Sequence, residues 1–268
     1  NAIFSQVYAM SLNTPVRDWR ASRIWVVGAS SGIGLALAEA LAAHGARVAV
    51  SARRAAALQT FAERHGERTL ALPLDMTENV DWDCAWADIK RAWGGIDWVV
   101  FCAADYTPVR AWELERDRAA QLINVNLTGT LRGVATVLPD MLAAGNGGIA
   151  LVASVAGYLG LPKSLVYGPT KAALINFAES LYLDVKPKGL DVCIINPGFV
   201  ATPLTAQNDF DMPALMTPEA AALEIIRGLE RGDYELHFPK RFTRVLRLLR
   251  RLPDRLRLAI LARIASQS

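Results

Sequence analysis

The stretch IWVVGASSGIGLALAEALAAHG, residues 24–45, decides how this chain of 268 residues folds. A short β-branched and aromatic run is followed by the glycine-rich segment GASSGIG (28–34) and then by an alanine- and leucine-rich helical pattern. Glycines at such a turn let the backbone come close to a phosphate group, whose charge is stabilised by the helix N-terminus. The pattern therefore predicts a strand, a phosphate-binding loop and a helix; a plain turn is the alternative, because the spacing Gly-x-x-x-Gly-x-Gly differs from the commoner G-x-G-x-x-G.

The alternation of short apolar runs with helical segments continues along the chain. The further runs are RVAVSA (47–52), LALPLD (70–75), DWVVFCAA (97–104), GGIALVAS (147–154), LDVCIIN (190–196) and YELHF (234–238). Apolar runs without alternation are typical of parallel strands that are buried on both faces. Because no linker divides the runs, we predict an α/β fold with a single doubly wound parallel sheet of about seven strands. We divide the chain into an N-terminal segment (1–21), this domain (22–238) and a basic C-terminal helical extension (239–268).

Arg53 and Arg54 follow the second predicted strand, at the position where an NAD-selecting site carries an acid. No Asp or Glu occurs between Glu39 and Glu63. Because arginine at this position favours a 2′-phosphate, the sequence predicts that NADP(H) is preferred over NAD(H). The alternative is that both arginines only begin a solvated helix.

The stretch SLVYGPTKAAL (164–174) places Tyr167 and Lys171 four residues apart in a helical pattern. Residues at this spacing lie on one face of a helix. A cation beside a phenol favours the phenolate, so Lys171 is expected to lower the pKa of Tyr167 from its usual value of about 10. The pair is a candidate for general acid/base chemistry; the alternative is that Tyr167 is an aromatic residue of the core.

In this order and spacing, five segments resemble the motifs of the short-chain dehydrogenases/reductases. The segments are GASSGIG (28–34), INVNLTG (123–129), SVAG (154–157), YGPTK (167–171) and NPGFVAT (196–202), and the resemblance covers roughly residues 22–238. It implies a Rossmann fold and an oxidoreductase that transfers a hydride between NADP(H) and a carbonyl or secondary-alcohol substrate. It also implies a homodimer or homotetramer, formed through the helices that carry Asn126 and Tyr167.

The resemblance also implies roles for individual residues. Tyr167 is the general acid/base, and Lys171 activates it and holds the nicotinamide ribose. Ser154 hydrogen-bonds the substrate oxygen, and Asn126 anchors a water that relays protons to Lys171. The implied cofactor-binding residues are Gly28, Ser30, Ser31, Gly32, Ile33, Gly34, Arg53, Arg54, Asp75, Met76, Cys102, Ala103, Ala104, Tyr167, Lys171, Pro197, Gly198, Val200 and Thr202.

Two segments depart from the family pattern. The family usually has Asn-Asn-Ala-Gly where this chain reads Phe101-Cys102-Ala103-Ala104, which adds a Cβ at Ala104 beside the expected cofactor. Pro169 lies inside YGPTK and lacks a backbone N–H, so we expect it in the first turn of its helix, where that N–H has no partner.

The C-terminal extension is strongly basic. Residues 240–263 carry nine Lys/Arg and one acid, Asp254, for a net +8, whereas the rest of the chain carries 20 basic and 25 acidic residues, for a net −5. The apolar residues that recur there at helical spacing before Pro253 are Phe242, Val245, Leu246, Leu249 and Leu252. Such a basic amphipathic helix is suited to peripheral contact with an anionic membrane. The alternative is that its leucines cover the body of the protein or a neighbouring subunit. Nucleic acid is not predicted as a partner, because the segment has one aromatic residue and no docking motif.

Composition limits the remaining possibilities. The three scattered cysteines, Cys84, Cys102 and Cys193, are expected in the core of a protein from a reduced compartment, and the three dispersed histidines predict no metal site. Residues 1–20 show no basic segment followed by an apolar core, so no secretion signal is predicted. We expect a cytoplasmic protein, with a peripheral position at a membrane surface as the alternative.

The segment PLTAQNDFDMPALMTPE (203–219) is expected to form a lid over the substrate. The residues that predict an apolar pocket there are Leu204, Phe210, Met212, Leu215 and Met216.

Two alternatives to a soluble reductase stay open. One is a non-catalytic NADP-binding sensor or scaffold, and the other is a membrane-surface reductase of lipid or acyl carbonyl groups.

Overall fold

A computed structural model describes residues 11–266 of the chain. Residues 1–10 of the predicted N-terminal segment and residues 267–268 of the extension lie outside this range. Seven parallel strands form one sheet in the order β3-β2-β1-β4-β5-β6-β7, which confirms the predicted fold class. The strands are β1 Arg23–Val27, β2 Arg47–Ala52, β3 Thr69–Pro73, β4 Trp98–Phe101, β5 Gly148–Val152, β6 Asp191–Pro197 and β7 Glu235–Phe238.

Helices cover both faces of the sheet. Within the described residues they are α1 Gly32–Ala43, α2 Ala55–His65, α3 Asn79–Trp93, α4 Arg116–Ile123, α5 Thr130–Ala144, α6 Tyr167–Val185, α7 Pro218–Arg231, α8 Lys240–Leu249 and α9 Asp254–Ser266. Along β1, Val26 packs into a core with Leu37 of α1 and Ile225 of α7. The neighbouring Trp25 packs into a second core with Trp82 of α3. Successive side chains of a strand point to opposite faces, so a continuous apolar run supplies both cores.

The order of the strands positions a binding crevice. From β1 the chain moves outward to β2 and β3, and β4 then returns to pair with the other edge of β1. In open α/β sheets, ligands bind at the carboxyl ends of the strands where the strand order reverses in this way. The loops after β1 and β4 therefore border the candidate site.

The segment between α4 and α5 is a π-helical turn, Asn124–Gly129. Such a turn contains wider i→i+5 hydrogen bonds and is frequent at functional sites. It contains Asn126, which is fully buried. The sequence predicts one long helical segment here and gives no sign of the turn.

The first helix of the extension packs on the body of the protein. Its inner residues Phe242, Leu246 and Leu249 contact a small apolar cluster with Val155 and Tyr158. This arrangement confirms, for the inner face, that the apolar residues cover the protein's own body. Val245 and Leu248 of the same helix are 56% and 63% exposed, respectively, so the outer face of the helix stays apolar as well as basic.

Three further expectations can be compared with the structure. Cys193 is buried, but Cys84 is exposed on α3, so the expectation that all three cysteines lie in the core is wrong. Pro169 is the third residue of α6, in the first turn as predicted. Within residues 11–266, no helix has both the length and the apolar character needed to cross a bilayer.

Candidate active site

The glycine loop sits at the carboxyl end of β1 and leads into α1. Gly28 and Gly32 have φ angles of +93° and +58°, which side-chain-bearing residues rarely adopt. A Cβ at Gly28 would collide with the backbone of Ala103, and one at Gly32 would lie 2.9 Å from the Cγ2 atom of Thr202. The two glycines thus leave backbone without a Cβ in front of the N-terminus of α1. This arrangement fits a pyrophosphate group.

Arg53 and Arg54 lie at the end of β2, on the rim of the same crevice. Both side chains are exposed, and Arg54 directly precedes α2. The two arginines therefore also lie at the start of a solvated helix, which was the alternative to cofactor binding. The guanidinium of Arg54 donates to the carbonyl of Ser30 at 2.9 Å and to its hydroxyl at 3.1 Å. Burial raises the pKa of the Asp75 carboxyl, but hydrogen bonds from Thr77 and the nearby charge of Arg53 outweigh this effect, so the pKa lies below its ordinary value. This end of the crevice therefore combines two cations with one ionised carboxylate.

The segment that departs from the family pattern is accommodated by packing. Phe101 lies 5.9 Å from Trp82, measured between ring centroids, and fills the space above Gly133. Cys102 and Ala103 donate their backbone N–H groups to the carbonyl of Val27 at 2.8 and 3.0 Å. Among the described residues, Lys163 and Ala214 are the non-glycine residues with a left-handed backbone. The backbone at Ala104 therefore does not require a glycine.

Tyr167, Lys171 and Ser154 meet at the carboxyl ends of β5 and β6. Tyr167 begins α6, and the ammonium of Lys171, one turn later, lies 5.4 Å from the centroid of the Tyr167 ring. The Lys171 Nζ donates to the carbonyl of Val152 at 3.0 Å. Ser154 lines the same cavity as Tyr167, and its hydroxyl accepts from the Ala156 N–H at 3.1 Å and donates to the carbonyl of Pro197 at 3.5 Å. The three residue types that the sequence predicts for acid/base chemistry are therefore brought together.

The pKa of Tyr167 differs from the sequence-based expectation. Burial raises the pKa of the phenol, and the nearby Ser154 hydroxyl offsets only part of this rise. Burial also lowers the pKa of Lys171 to about 8. The expectation that Lys171 lowers the pKa of Tyr167 underestimated the cost of forming either charge in a buried site.

Asn126 is placed behind these residues rather than in the crevice. Its Nδ2 donates to the carbonyl of Asp105 at 2.8 Å and to the hydroxyl of Thr170 at 3.3 Å, and its Oδ1 accepts from the Asp105 N–H at 2.7 Å. Asp105 also forms a two-pronged ion pair with Arg118, with contacts of 2.6 and 2.9 Å. The side chain of Asn126 thus fixes the loop after β4, and its water-relay role stays a prediction.

One cavity of about 610 Å³ gathers the predicted residues. Its walls include every residue predicted for cofactor binding, together with Ser154. It extends from the glycine loop and the two arginines to Tyr167 and Lys171. Of the predicted site residues, only Asn126 lies outside this wall.

A second cavity of about 900 Å³ adjoins the first on the other side of Tyr167. The two share Ser154, Tyr167 and Gly198, so both open onto the candidate catalytic groups. Of the five apolar lid residues, Leu204 and Phe210 line it. Met212 instead accepts a hydrogen bond from Asn208, Leu215 is exposed, and Met216 packs against the main core.

Several lining residues were missed by the sequence reasoning. Tyr106 stacks edge-on against Tyr167 at 5.0 Å, and its hydroxyl donates to Asn208 of the lid at 2.8 Å. Lys163, 13% exposed at its side chain, pairs with Asp209 of the lid at 2.5 Å. Phe242 and Leu246 of α8 form part of the wall. No motif marks these residues, although Phe242 and Leu246 belong to the amphipathic pattern of the extension.

The fold and the site together define a class, the Rossmann-fold oxidoreductases with a Ser, Tyr and Lys set at the strand ends. The family profile described as short chain dehydrogenase matches residues 22–212. An uncharacterized oxidoreductase of Myxococcus xanthus (strain DK1622) is 36% identical over 238 residues, which cover 85% of this chain and 92% of that protein. The chain therefore belongs to the short-chain dehydrogenase family of oxidoreductases, which implies a nicotinamide cofactor and a small-molecule substrate.

Solved structures agree on the fold. A short-chain dehydrogenase from Streptomyces avermitilis matches with a TM-score of 0.75 and 27% identity, over 85% of this chain and 92% of that chain. A structure described as ribose-5-phosphate isomerase from Brucella melitensis 16M matches with a TM-score of 0.74 and 28% identity, over the same shares of both chains. Because such different descriptions accompany one fold, the reaction has to be argued from the residues of the site.

Proposed function

We propose that this protein is an NADP(H)-dependent oxidoreductase that interconverts a carbonyl and a secondary alcohol, with Tyr167 as the general acid/base. One observation carries the proposal. Tyr167 and Ser154 lie where the two cavities meet, with the glycine loop at the far end of the first cavity and a mainly apolar lining in the second. A cofactor and a substrate could therefore each reach the same hydroxyl groups.

The residues of this chain supply position and a proton. The nicotinamide, when bound, supplies or accepts the hydride. Ser154 orients the substrate oxygen by a hydrogen bond, and Tyr167 donates its proton to that oxygen in the reductive direction. Because burial raises the pKa of Tyr167, the phenol is protonated at neutral pH and is in the form that reduction requires. Lys171, with its pKa lowered to about 8, is poised to return the proton.

The preference for NADP(H) is supported by the charges at the end of β2. Arg53 and Arg54 line the cavity beside the glycine loop, and no carboxylate follows β2 to accept a ribose hydroxyl. A guanidinium binds a phosphate through charge-assisted, two-pronged hydrogen bonds. Asp75 lies on the next strand end, where we assign it to the adenine together with Met76.

A second candidate concerns the substrate. The second cavity is lined by apolar side chains of the lid and of α8, including Phe210 and Phe242, together with Phe199 and with the ion pair Lys163–Asp209. This wall favours a carbonyl compound with an extended apolar part, such as a lipid or an acyl ketone. A non-catalytic NADP-binding sensor would not need a cavity of this size on the substrate side of Tyr167.

The assembly and the location of the protein are also proposals. We infer a homodimer or homotetramer formed beside α4 and α6, because Trp112, Ile123 and Leu183 are 80%, 44% and 68% exposed, respectively, in this region of the surface. We further propose a cytoplasmic enzyme, and we keep residues 22–238 as the catalytic domain with residues 239–268 as an extension. Sedimentation equilibrium of the full chain tests the assembly, and a monomer at micromolar concentration would contradict it.

The experiment that tests the reaction is NADPH oxidation with a panel of aldehydes, ketones and 3-keto acyl compounds. We expect turnover in the wild type and a loss of about 10²-fold or more in Tyr167→Phe, because the proton donor is removed. Tyr182→Phe is the matched control, since its hydroxyl bonds the carbonyl of Leu12 on the surface and should not affect turnover. Equal turnover in Tyr167→Phe would refute the acid/base role, and NADPH binding without turnover on the whole panel would favour a sensor.

A further inference from the structure

We propose that the outer surface of the C-terminal extension is a docking site for an anionic lipid bilayer. The docking surface is defined as Arg241, Arg244, Val245 and Leu248 of α8 with Arg255, Leu256 and Leu258 of α9. All seven residues are exposed. The docking itself does not depend on the proposed reductase activity. Only its consequence for the choice of substrate rests on the proposed function.

The inner face of α8 is already occupied, which fixes the orientation of the helix. Thr243 is fully buried, and its hydroxyl bonds the Nδ1 of His237 at 2.6 Å. Arg247 pairs with Glu235 of β7 at 3.3 Å. These contacts and the apolar cluster around Leu246 hold the helix on the body. The body therefore cannot cover the opposite, outer face without releasing them.

Cations and apolar groups are interleaved on that outer face. Arg241 and Val245, like Arg244 and Leu248, are four residues apart and so lie one above the other on the helix. Within residues 11–266, neither Arg241 nor Arg244 forms an ion pair with an acidic side chain. In α9, Arg255 and Leu258 are three residues apart and both are exposed. Such mixing suits the headgroup region of a bilayer, where leucines insert and arginines meet lipid phosphates.

Other occupants fit this surface less well. Residues 240–263 carry a net charge of +8, so a two-fold dimer through this face would bring two strongly positive surfaces together. Nucleic acid would meet the arginines but would leave the exposed leucines in contact with water. The aromatic residue of α8, Phe242, faces the body and is not available to stack on bases.

Docking would place the substrate cavity beside the bilayer. Phe242 and Leu246 of α8 line that cavity on the inner face of the helix whose outer face carries the docking surface. The cavity and the lipid would then be separated by the thickness of one helix, about 10 Å. Carbonyl substrates with an apolar chain would be drawn from the bilayer into the cavity.

Vesicle co-sedimentation of the full chain tests the docking surface without any turnover. The vesicles are phosphatidylcholine alone or equal parts phosphatidylcholine and phosphatidylglycerol. We expect pelleting with the anionic vesicles only, and a drop in the partition coefficient on the order of tenfold or more for Arg241→Gln/Arg244→Gln. We expect a drop for Val245→Gln/Leu248→Gln as well, because the inserting side chains are removed. Arg47→Gln/Lys188→Gln removes the same charge from the amino-terminal edge of the sheet and should bind as the wild type does.

Each other outcome overturns the proposal. Equal pelleting of the wild type with both vesicle types, or an equal loss in the Arg47/Lys188 control, would show that the site or its charge dependence is wrong. Binding that is unaffected by Val245→Gln/Leu248→Gln would show electrostatic adsorption without insertion. Self-association without lipid that this variant abolishes would identify a subunit interface instead. NADPH binding and turnover of the same proteins in detergent-free buffer are scored separately, so a failed reductase assay does not affect the docking result.

Discussion

At the scale of single residues, we expect the charges around the phosphate end of the crevice to decide which cofactor binds. Arg53 and Arg54 lie beside the glycine loop, and a 2′-phosphate there would accept charge-assisted hydrogen bonds from them. We expect Arg53→Gln/Arg54→Gln to weaken NADPH binding by about 10- to 100-fold, since the charge-assisted bonds of these two exposed side chains together should contribute about 1.5–3 kcal/mol. NADH binding should change little. Fluorescence titration with both cofactors measures this.

The control for this variant is Arg47→Gln, which changes an exposed arginine at the opposite end of β2. It should leave both affinities unchanged. An equal loss of NADPH and NADH affinity would mean that the arginines only support the fold of the loop, and no loss of either would mean that the cofactor's ribose lies elsewhere.

Lys171 illustrates how a residue that we propose for catalysis reduces the stability of the fold. Burial lowers the pKa of its ammonium from 10.5 to about 8, which corresponds to a cost of roughly 3 kcal/mol at neutral pH. Below the folded-state pKa the group is charged in both states and the cost is complete. Between about pH 8 and pH 10.5 the unfolded chain binds more protons, so the stability of the wild type rises through this window.

We therefore expect Lys171→Met to be more stable than the wild type at neutral pH by about 1–3 kcal/mol, because it removes a buried charge and keeps the volume. The gain should shrink at about pH 9.5, where the folded wild type is already neutral at this position. Urea unfolding at both pH values measures the difference, and turnover should be lost. A variant that is less stable than the wild type at neutral pH would show that the bond to the Val152 carbonyl outweighs the desolvation of the ammonium.

At the scale of elements, the sequence predicts what depends on pattern and misses what depends on packing. All seven strands are predictable, because apolar runs without alternation can be buried only between two layers of helices. The π-helical turn Asn124–Gly129 is not predictable, because no local sequence pattern marks it; its Asn126 side chain bonds Asp105 and Thr170, which lie far away in the sequence. The raised pKa of Tyr167 was missed for the same reason, since burial is a property of the folded chain.

We expect the Asn126 side chain in the π-helical turn to stabilise the loop after β4. The Asn126 side chain satisfies both the N–H and the carbonyl of Asp105. Asn126→Ala leaves these groups without those partners, so we expect a loss of about 1–3 kcal/mol in the free energy of unfolding. Asn124→Ala in the same turn removes only a contact with the Arg132 side chain and should cost clearly less. Equal losses in urea unfolding would mean that the bonds from Asn126 to Asp105 contribute no more than the contact of Asn124 with Arg132.

At the scale of the whole molecule, the sequence predicts a mildly acidic body with a basic extension but does not show how the two are joined. The join is a polar network at the edge of the sheet. The carboxylate of Glu235 in β7 accepts from the Tyr158 hydroxyl at 2.6 Å, from Asn196 at 3.1 Å and from Arg247 of α8 at 3.3 Å. Burial lowers the pKa of the neighbouring His237 to about 4, so its bond to Thr243 is unaffected near neutral pH.

This network predicts that the extension and the edge of the sheet open together. Tyr158→Phe keeps the aromatic packing against Leu246 but removes one buried bond to Glu235, so we expect a loss of about 1 kcal/mol in stability. Amide hydrogen exchange should accelerate in α8 more than in β1 or β4, because the bond orients Glu235, the carboxylate that pairs with Arg247 of α8. Tyr182→Phe, which removes a surface hydroxyl bond to Leu12, should leave α8 unchanged. If exchange in α8 is unaffected by Tyr158→Phe, the apolar cluster alone holds the extension, and the wall of the substrate cavity does not depend on the charges beneath it.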